Sequence, residues 1–342
     1  MCRCQRRLMI VGAVALICTA SVAQAASRIK LATIAPKGTS FHQILLEMGE
    51  KWRAAPGGGV ALTIYTDGTM GGEADMVRRM RVGQIQAAML TVTGLMEIDD
   101  SVAALQNMPM MFRSLDEVVF VRQKLRPELE KRFRDKGFIV LFWGDAGWVR
   151  FFSKKPAAMP DDFVKMKMFV WTGDSKTLDI WKLGGYQPVP LEITDILPSL
   201  QTGLIDALCA SPSYALAGQF YGPAPYMLDL HWGPLVGATV ITEKAWNSLP
   251  ADARPALMKA AEEAGSQITI KSRAENEESI EAMKKHGLHV IAATPEIEAA
   301  WRKRCEAFYP KIRGDIVPAD MFDRVQKLLE EYRAAEAGKA AP

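Results

Sequence analysis

An α/β protein of two lobes joined by one long helix is the fold class that the sequence predicts, and three observations predict it. Strand-like apolar runs alternate with helix-like segments throughout, the pattern of α/β proteins with mostly parallel sheets. The chain has 342 residues, and at about 150 residues per domain that length gives two. From Pro250 to His286 there is no proline after Pro255, and Ala, Glu and Lys dominate. About 36 residues at 1.5 Å each make a rod of about 54 Å, longer than a domain of about 150 residues is wide. Such a rod lies across both lobes, with Gly265 as its candidate bend.

Residues 1–25 stand apart. Arg3, Arg6 and Arg7 form a basic start, "LMIVGAVALICTASVA" is an apolar run, and "AQA" ending at Ala25 is a small-x-small cleavage site. The run is shorter than the ~20 residues of a membrane span, so it reads as a secretory signal that is removed. Cys18 follows Ile17, where a lipoprotein signal wants a small residue, and Arg6-Arg7 is the only part of a twin-arginine pattern present. Removing the three arginines from 42 basic residues leaves 39 against 39 acidic ones. A neutral mature chain has no basic surplus to draw nucleic acid or anionic lipid. No later stretch is apolar for ~18 residues, so a soluble mature protein is expected. Cys209 and Cys305 remain of five cysteines. An oxidising compartment would let them pair, yet a chain of this size buries a large core without a staple.

The elements follow in order. "IKLATIA" is a strand, and a helix starts at Ser40 with Phe41, Leu45, Met48 and Trp52 at helical spacing and Gln43 completing a capping box. "VALTIYT" is the next strand. "GTMGG" leads to a helix from Glu73 to Gly83, then the strand "IQAAML". Ser114 caps a helix that continues past Pro127 to Gly137, before the strand "FIVLFWGDAG". In the second half, "VRFFSKK" and "MKMFVW" are strands, "SKTLDIWKLGG" is a helix, and "PVP" is a loop. "TDILPSLQTG" is a helix capped by Thr194 and ended by Gly203, leading to the strand "LIDALCA". The tail "AAEAGKAAP" reads as loose.

Catalytic constellations are missing. There is no G-x-S-x-G, H-E-x-x-H, Walker loop or G-x-G-x-x-G. His286 and His289 straddle the helix stop at Gly287 without an acid or cysteine framework, so no metal site is expected. "GTMGG" lacks the Lys-Ser/Thr of a phosphate cradle and reads as a tight turn. A two-lobed α/β protein without a nucleophile-base set suits closure on a small ligand between its lobes.

The blocks "LATIAPKGTSFHQ", "GGGVALTIYTDGTMGGEADMVRRMRVGQIQAAML", "PMMFRS", "GWVRFFSKKPAAMPDDF" and "PVPLEITDILPSLQTGLIDA", in this order, resemble the DctP family of solute receptors. These receptors serve tripartite ATP-independent periplasmic (TRAP) transporters, and the resemblance runs from Ile29 to about Ala260. It implies the two-lobed periplasmic binding protein fold, with a ligand trapped by hinge closure. It implies lobes of 27–147 plus 234–276 and 148–233 plus 277–320, followed by a C-terminal helix at 320–337. It also implies a periplasmic location, a small organic solute as ligand, a small and a large TRAP membrane subunit as partners, no cofactor and no enzymatic activity.

Family members most often hold a carboxylate with arginines. Arg150 in "GWVRFF" occupies one such place. The principal one closes a block that usually reads lysine, hydrophobic residue, arginine; here it is Phe169 in "MKMFV". The asparagine-bearing loop after the Asp206 strand reads "ALCASPSY". A phenyl ring cannot replace a bidentate guanidinium clamp. The expected cleft is therefore aromatic: Phe169, Trp171, Trp148 and Tyr214, with Trp143 and Trp232, and Arg150 kept for one acidic or polar group. Its solute would be more apolar than a simple dicarboxylate. Thr91 and Thr93, at the carboxyl end of a strand, are candidate hydroxyl contacts. The competing reading of the aromatics is inter-lobe packing, that of Arg150 is an ion pair with Asp145 or another acid, and that of the threonines is loop capping. A receptor serving a sensor and a secreted enzyme on the same fold are the alternative functions. The stripe Phe322, Val325, Leu329 and Tyr332 is expected to pack on its own lobe, in a monomer.

Overall fold

The computed structural model describes residues 27–57 and 59–340; the expected export signal lies outside them. Two sheets organise the chain. The first has the order β2-β1-β3-β10-β4, from Ser27–Thr33 (β1), Val60–Tyr65 (β2), Ala87–Thr91 (β3), Phe138–Trp148 (β4) and Pro234–Thr242 (β10). The second has the order β11-β9-β5-β8-β6-β7, from Arg150–Ser153 (β5), Lys167–Trp171 (β6), Gln187–Leu191 (β7), Ala207–Ala210 (β8), Tyr226–Asp229 (β9) and His289–Ala292 (β11). Helices cover each sheet, giving the two-lobed α/β architecture.

Both sheets are mixed, where mostly parallel sheets were expected. β1 runs parallel to β2 and β3, but β10 is antiparallel to β3 and to β4. β5 is likewise antiparallel to β8 and β9. The reason is the connection. β4 passes into β5, and β9 into β10, by direct crossing from one sheet to the other. No crossover helix intervenes there, so nothing imposes parallel pairing.

The long helix is Arg254–Lys285, 32 residues, about 48 Å at 1.5 Å per residue. It starts four residues later than Pro250, because residues 251–253 form a turn in which Ala253 N–H donates to Pro250 O at 3.1 Å. Its buried residues, among them Leu257, Ala261, Ala264, Ile268, Ser272, Asn276, Ile280 and Met283, recur every three or four positions and form one stripe. The first half of the stripe packs with Leu45, Trp52 and Phe142 in the first lobe. Ile280 and Met283 pack with Phe152, Leu208 and Met227 in the second. The rod is therefore shared between both cores. Gly265 does not bend it: a Cβ there would lie 2.7 Å from Phe142 Cβ, so glycine is what lets the helix approach β4.

Several local readings change. Thr39, not Ser40, precedes the first helix, Ser40–Arg53, and no side chain caps it; Thr39 Oγ1 donates instead to Pro36 O at 2.7 Å. Thr194 lies in a short 3-10 turn, so the helix Ile196–Thr202 lacks the expected threonine cap. "PVP" belongs to β7, where two prolines are tolerated because β7 is an edge strand and pairs only with β6. The tail continues the C-terminal helix, Ala319–Ala340. Phe322, Val325 and Leu329 pack there against Val121, Leu125 and Leu129 of the helix Leu115–Asp135, and Tyr332 meets Phe120 at 5.1 Å. That apolar stripe is covered by its own chain.

Gly265→Ala would gain about 1 kcal/mol of helix propensity in an open position. Here the clash dominates, and overpacking of this kind costs about 1–3 kcal/mol. The variant is expected to melt below the wild type by calorimetry; an equal or higher Tm would show that the helix is not seated this closely on β4.

Candidate functional site

One cavity, of about 270 Å³, opens between the two sheets. It is bounded by the carboxyl end of β3, the middle of β4 and β10, the end of β6, the loop after β8 and the long helix near Ile268 and Glu275. In open α/β sheets ligands collect at the carboxyl ends of strands and where lobes meet.

The rod is fixed at the back of this cavity by one buried carboxylate. The Asp145 side chain, with no solvent exposure, accepts from Arg273 Nε and Nη2, each at 2.9 Å, and from Arg122 Nη1 at 3.2 Å. Ser272, immediately before Arg273, donates its Oγ to Asp145 O at 2.9 Å, and Asn276, about one turn after it, donates Nδ2 to Ala146 O at 2.6 Å. Asn276 Oδ1 then accepts from Ser213 N–H at 3.1 Å, which reaches the second lobe. Gly147 has φ +74° and a Cβ there would meet Asn276 Nδ2 at 2.9 Å, so the strand crossing needs glycine at this point.

Six of the expected residues line the cavity: Phe169, Trp171, Tyr214, Trp232, Thr91 and Thr93. Phe169 stands edge-on to Trp171, ring centroids 4.9 Å apart, and Trp171 lies 6.2 Å from Tyr214. Phe169 is also part of the second lobe's core, packed with Ile196, Leu200 and Ile280. It is wall and core at once. On the other side Trp232 stacks on Trp181 at 5.1 Å, with Phe151, Trp301 and Tyr186 behind them. Burial pushes the Tyr214 phenol well above its usual range, so it remains an O–H group.

Arg150, Trp148 and Trp143, also expected in the cleft, lie outside its lining. Arg150 is 5% exposed and forms an ion pair with Asp229, the neighbouring acid on β9, not Asp145. Trp148 stacks face to face on His231 at 4.8 Å within the crossing segments. Burial first, and then the Arg150 charge, hold the His231 imidazole below its usual range. Trp143 points to the opposite face of β4 from Phe142. Its indole N–H donates to Glu130 Oε1 at 3.1 Å, beside Phe133. The odd-even alternation along β4 decides this.

The threonines sit on carboxylates that the sequence did not single out. Glu73 accepts from Thr91 N–H at 2.7 Å, Thr91 Oγ1 at 2.6 Å and Gly94 N–H at 3.0 Å. Asp174 accepts from Thr177 N–H at 2.9 Å and from Thr93 Oγ1 at 3.1 Å. The Thr93–Asp174 bond spans the lobes. Both acids line the cavity, and burial pushes both carboxyls above the ordinary range despite these bonds. Each is also a helix-start residue, Glu73 in the first turn of Glu73–Arg81 and Asp174 the cap of Ser175–Leu183. Capping and cleft lining leave the same mark in a sequence, which is why neither stood out. Trp181 was missed for a similar reason, reading as the apolar face of its helix. Among the described residues of the lining there is no lysine, arginine or histidine. Cys209 lines the cavity as a free thiol, and Cys305 is buried and free in the aromatic cluster behind it.

The cavity lies at the junction of the two lobes and is walled by rings and polar caps. The sequence profile of the bacterial extracellular solute-binding proteins, family 7 (DctP), matches residues 31–315, and the chain belongs to that family. The C4-dicarboxylate-binding periplasmic protein DctP of Rhodobacter capsulatus is 26% identical over 312 residues, 87% of this chain and 91% of the relative. The 2,3-diketo-L-gulonate-binding periplasmic protein of Escherichia coli is 24% identical over 68% of this chain and 71% of its own. A TRAP periplasmic solute binding protein from Shewanella oneidensis, solved with bound succinate, shares the fold with a TM-score of 0.82 at 19% identity, over 89% of this chain and all of that one. A Bordetella pertussis extracytoplasmic solute receptor binding pyroglutamic acid matches with a TM-score of 0.81 at 18% identity, over the same shares. No described helix is long and apolar enough to cross a membrane.

Because the folded state holds Glu73 above its unfolded pKa, ionising it costs more in the fold than in the open chain. That cost is absent below 4.5, the reference value. It grows as pH rises from there through the folded pKa. Relative to Glu73→Gln, the wild type is therefore expected to lose stability as pH rises above about 4.5 and then to level off. Urea unfolding of both proteins across pH 4 to 8 checks this; a difference that stays flat, or that grows in the wild type's favour, contradicts it.

Proposed function

We propose that this chain is the periplasmic solute receptor of a TRAP transporter, exported by residues 1–25 and handing a small organic solute to a small and a large membrane subunit. The lobes, 27–147 with 234–276 and 148–233 with 277–320, close over the solute about the two strand crossings as a monomer. The observation that carries the reading is the cavity itself, set between the lobes of a family 7 fold and walled by Phe169, Trp171, Tyr214, Trp181 and Trp232.

The recognition differs from that of relatives named for dicarboxylates. A carboxylate needs a positive fork or several donors, and the arginine place is Phe169. Arg150 is occupied by Asp229 outside the lining. Ring surfaces therefore replace the charge clamp, and the solute is apolar or aromatic. Its acidic group, expected when Arg150 was placed in the cleft, loses its partner.

Native mass spectrometry of the protein exported to and purified from a periplasm is expected to show one small organic molecule bound per chain. Trp171→Ala is expected to weaken its retention about tenfold, in keeping with loss of a large contact in a desolvated pocket. Phe169→Arg is expected to move selectivity toward carboxylates. A spectrum holding only the bare chain, or a Phe169→Arg protein with unchanged affinity and selectivity, would contradict the proposal.

A further inference from the structure

The cavity's charge is one-sided. Four carboxylates line it, Glu73, Asp145, Asp174 and Glu275, against no basic side chain among the described residues. They are not equivalent. Asp145 is neutralised by Arg122 and Arg273, which reach it from behind the wall. Glu73 is enclosed by three donors from Thr91 and Gly94. Asp174 and Glu275 are left with neutral partners only. Asp174 Oδ2 has the Thr93 hydroxyl, and Glu275 Oε2 has the Ser40 hydroxyl at 2.7 Å. Neither is in an ion pair with any described residue.

Asp174 does not need its charge for the fold. Its capping bond uses Oδ1, which accepts from Thr177 N–H, and an asparagine caps a helix as well as an aspartate. Its other oxygen, Oδ2, accepts from the Thr93 hydroxyl across the lobe boundary, and Asp174 lines the cavity. Three residues before it is Trp171, whose carbonyl accepts the Asp174 N–H at 3.0 Å, so ring and carboxylate belong to one turn. An aromatic face beside an unpaired carboxylate attracts a cation twice, through the ring quadrupole and through the charge. The same surroundings repel an anion.

We infer that the solute is an apolar or aromatic molecule carrying a protonated amine, held by Asp174 beside Trp171, with its body against the Trp181–Trp232 stack. This rests on the receptor reading above and names the chemistry of its ligand. Thr93, bonded to the same carboxylate from the other lobe, ties amine capture to lobe closure.

The test is calorimetric titration of the purified mature chain at pH 7 with three compounds of one ring system: tryptamine, indole-3-propionate and indole-3-propanol. The amine is expected to bind at least tenfold more tightly than the carboxylate, with the alcohol between them. Asp174→Asn, which keeps the cap, is expected to weaken the amine about tenfold while leaving the alcohol within twofold. A carboxylate that binds as tightly as the amine overturns the inference, as does an Asp174→Asn protein that weakens all three alike. Binding of the alcohol without preference for the amine leaves the receptor reading standing and overturns this one. Binding of none of the three, together with a native spectrum free of solute, removes both.

Discussion

The architecture depends on a single buried carboxylate. Asp145 lies three residues before the end of β4, where the chain is about to cross between lobes, and it holds Arg122 from one helix and Arg273 from the rod. Burying the Asp145 charge is costly, and removing a partner of a buried charge costs about 3–5 kcal/mol, because the charge is left uncompensated. Thr269, Ser272, Arg273 and Asn276, all on one face of the long helix, hydrogen-bond to residues 145 and 146. The rod is thereby locked in register against the strand, and the cavity in front of it acquires a fixed rear wall.

From that wall the rest of the site follows. Small residues along the helix stripe, Ala260, Ala261, Ala264 and Gly265, let it lie close to β4 and keep Phe142 at the cavity side. The second lobe reaches the rod through Ser213 and Asn276 and contributes the ring-lined half of the cavity. The first lobe contributes Thr91 and Thr93, which meet the buried carboxylates of Glu73 in the same lobe and of Asp174 in the second.

Much of this was legible in the sequence, for identifiable reasons. Strand and helix periodicity, together with the uninterrupted run after Pro255, located the two lobes and the shared rod, because those signals are set locally by burial on one face. Four of the rings singled out in the sequence, Phe169, Trp171, Tyr214 and Trp232, line the cavity. The partner of a charge was not. Arg150 lies on β5 opposite Asp229 only because β5 and β9 pair antiparallel across 79 positions of sequence. Trp143 and Trp148 read as cleft rings, but the alternation of β4 and the crossing segment turn them elsewhere. Asp174 and Glu73 were hidden behind their ordinary use at helix starts. Long-range pairing and strand facing decide these cases, and a single sequence carries neither.

The central claim is that the rod is the fixed axis and that the lobes open in front of it. Hydrogen exchange of the solute-free chain, read by mass spectrometry, tests it directly, because exchange separates local opening from global unfolding. The account predicts that the amides of Ile268 to Asn276 exchange only with global unfolding. It predicts that the amides of Thr91, Gly94 and Thr177, whose hydrogen bonds end on cavity carboxylates, exchange earlier through lobe opening. Exchange of both groups in step, or of the rod ahead of the cavity wall, would contradict it.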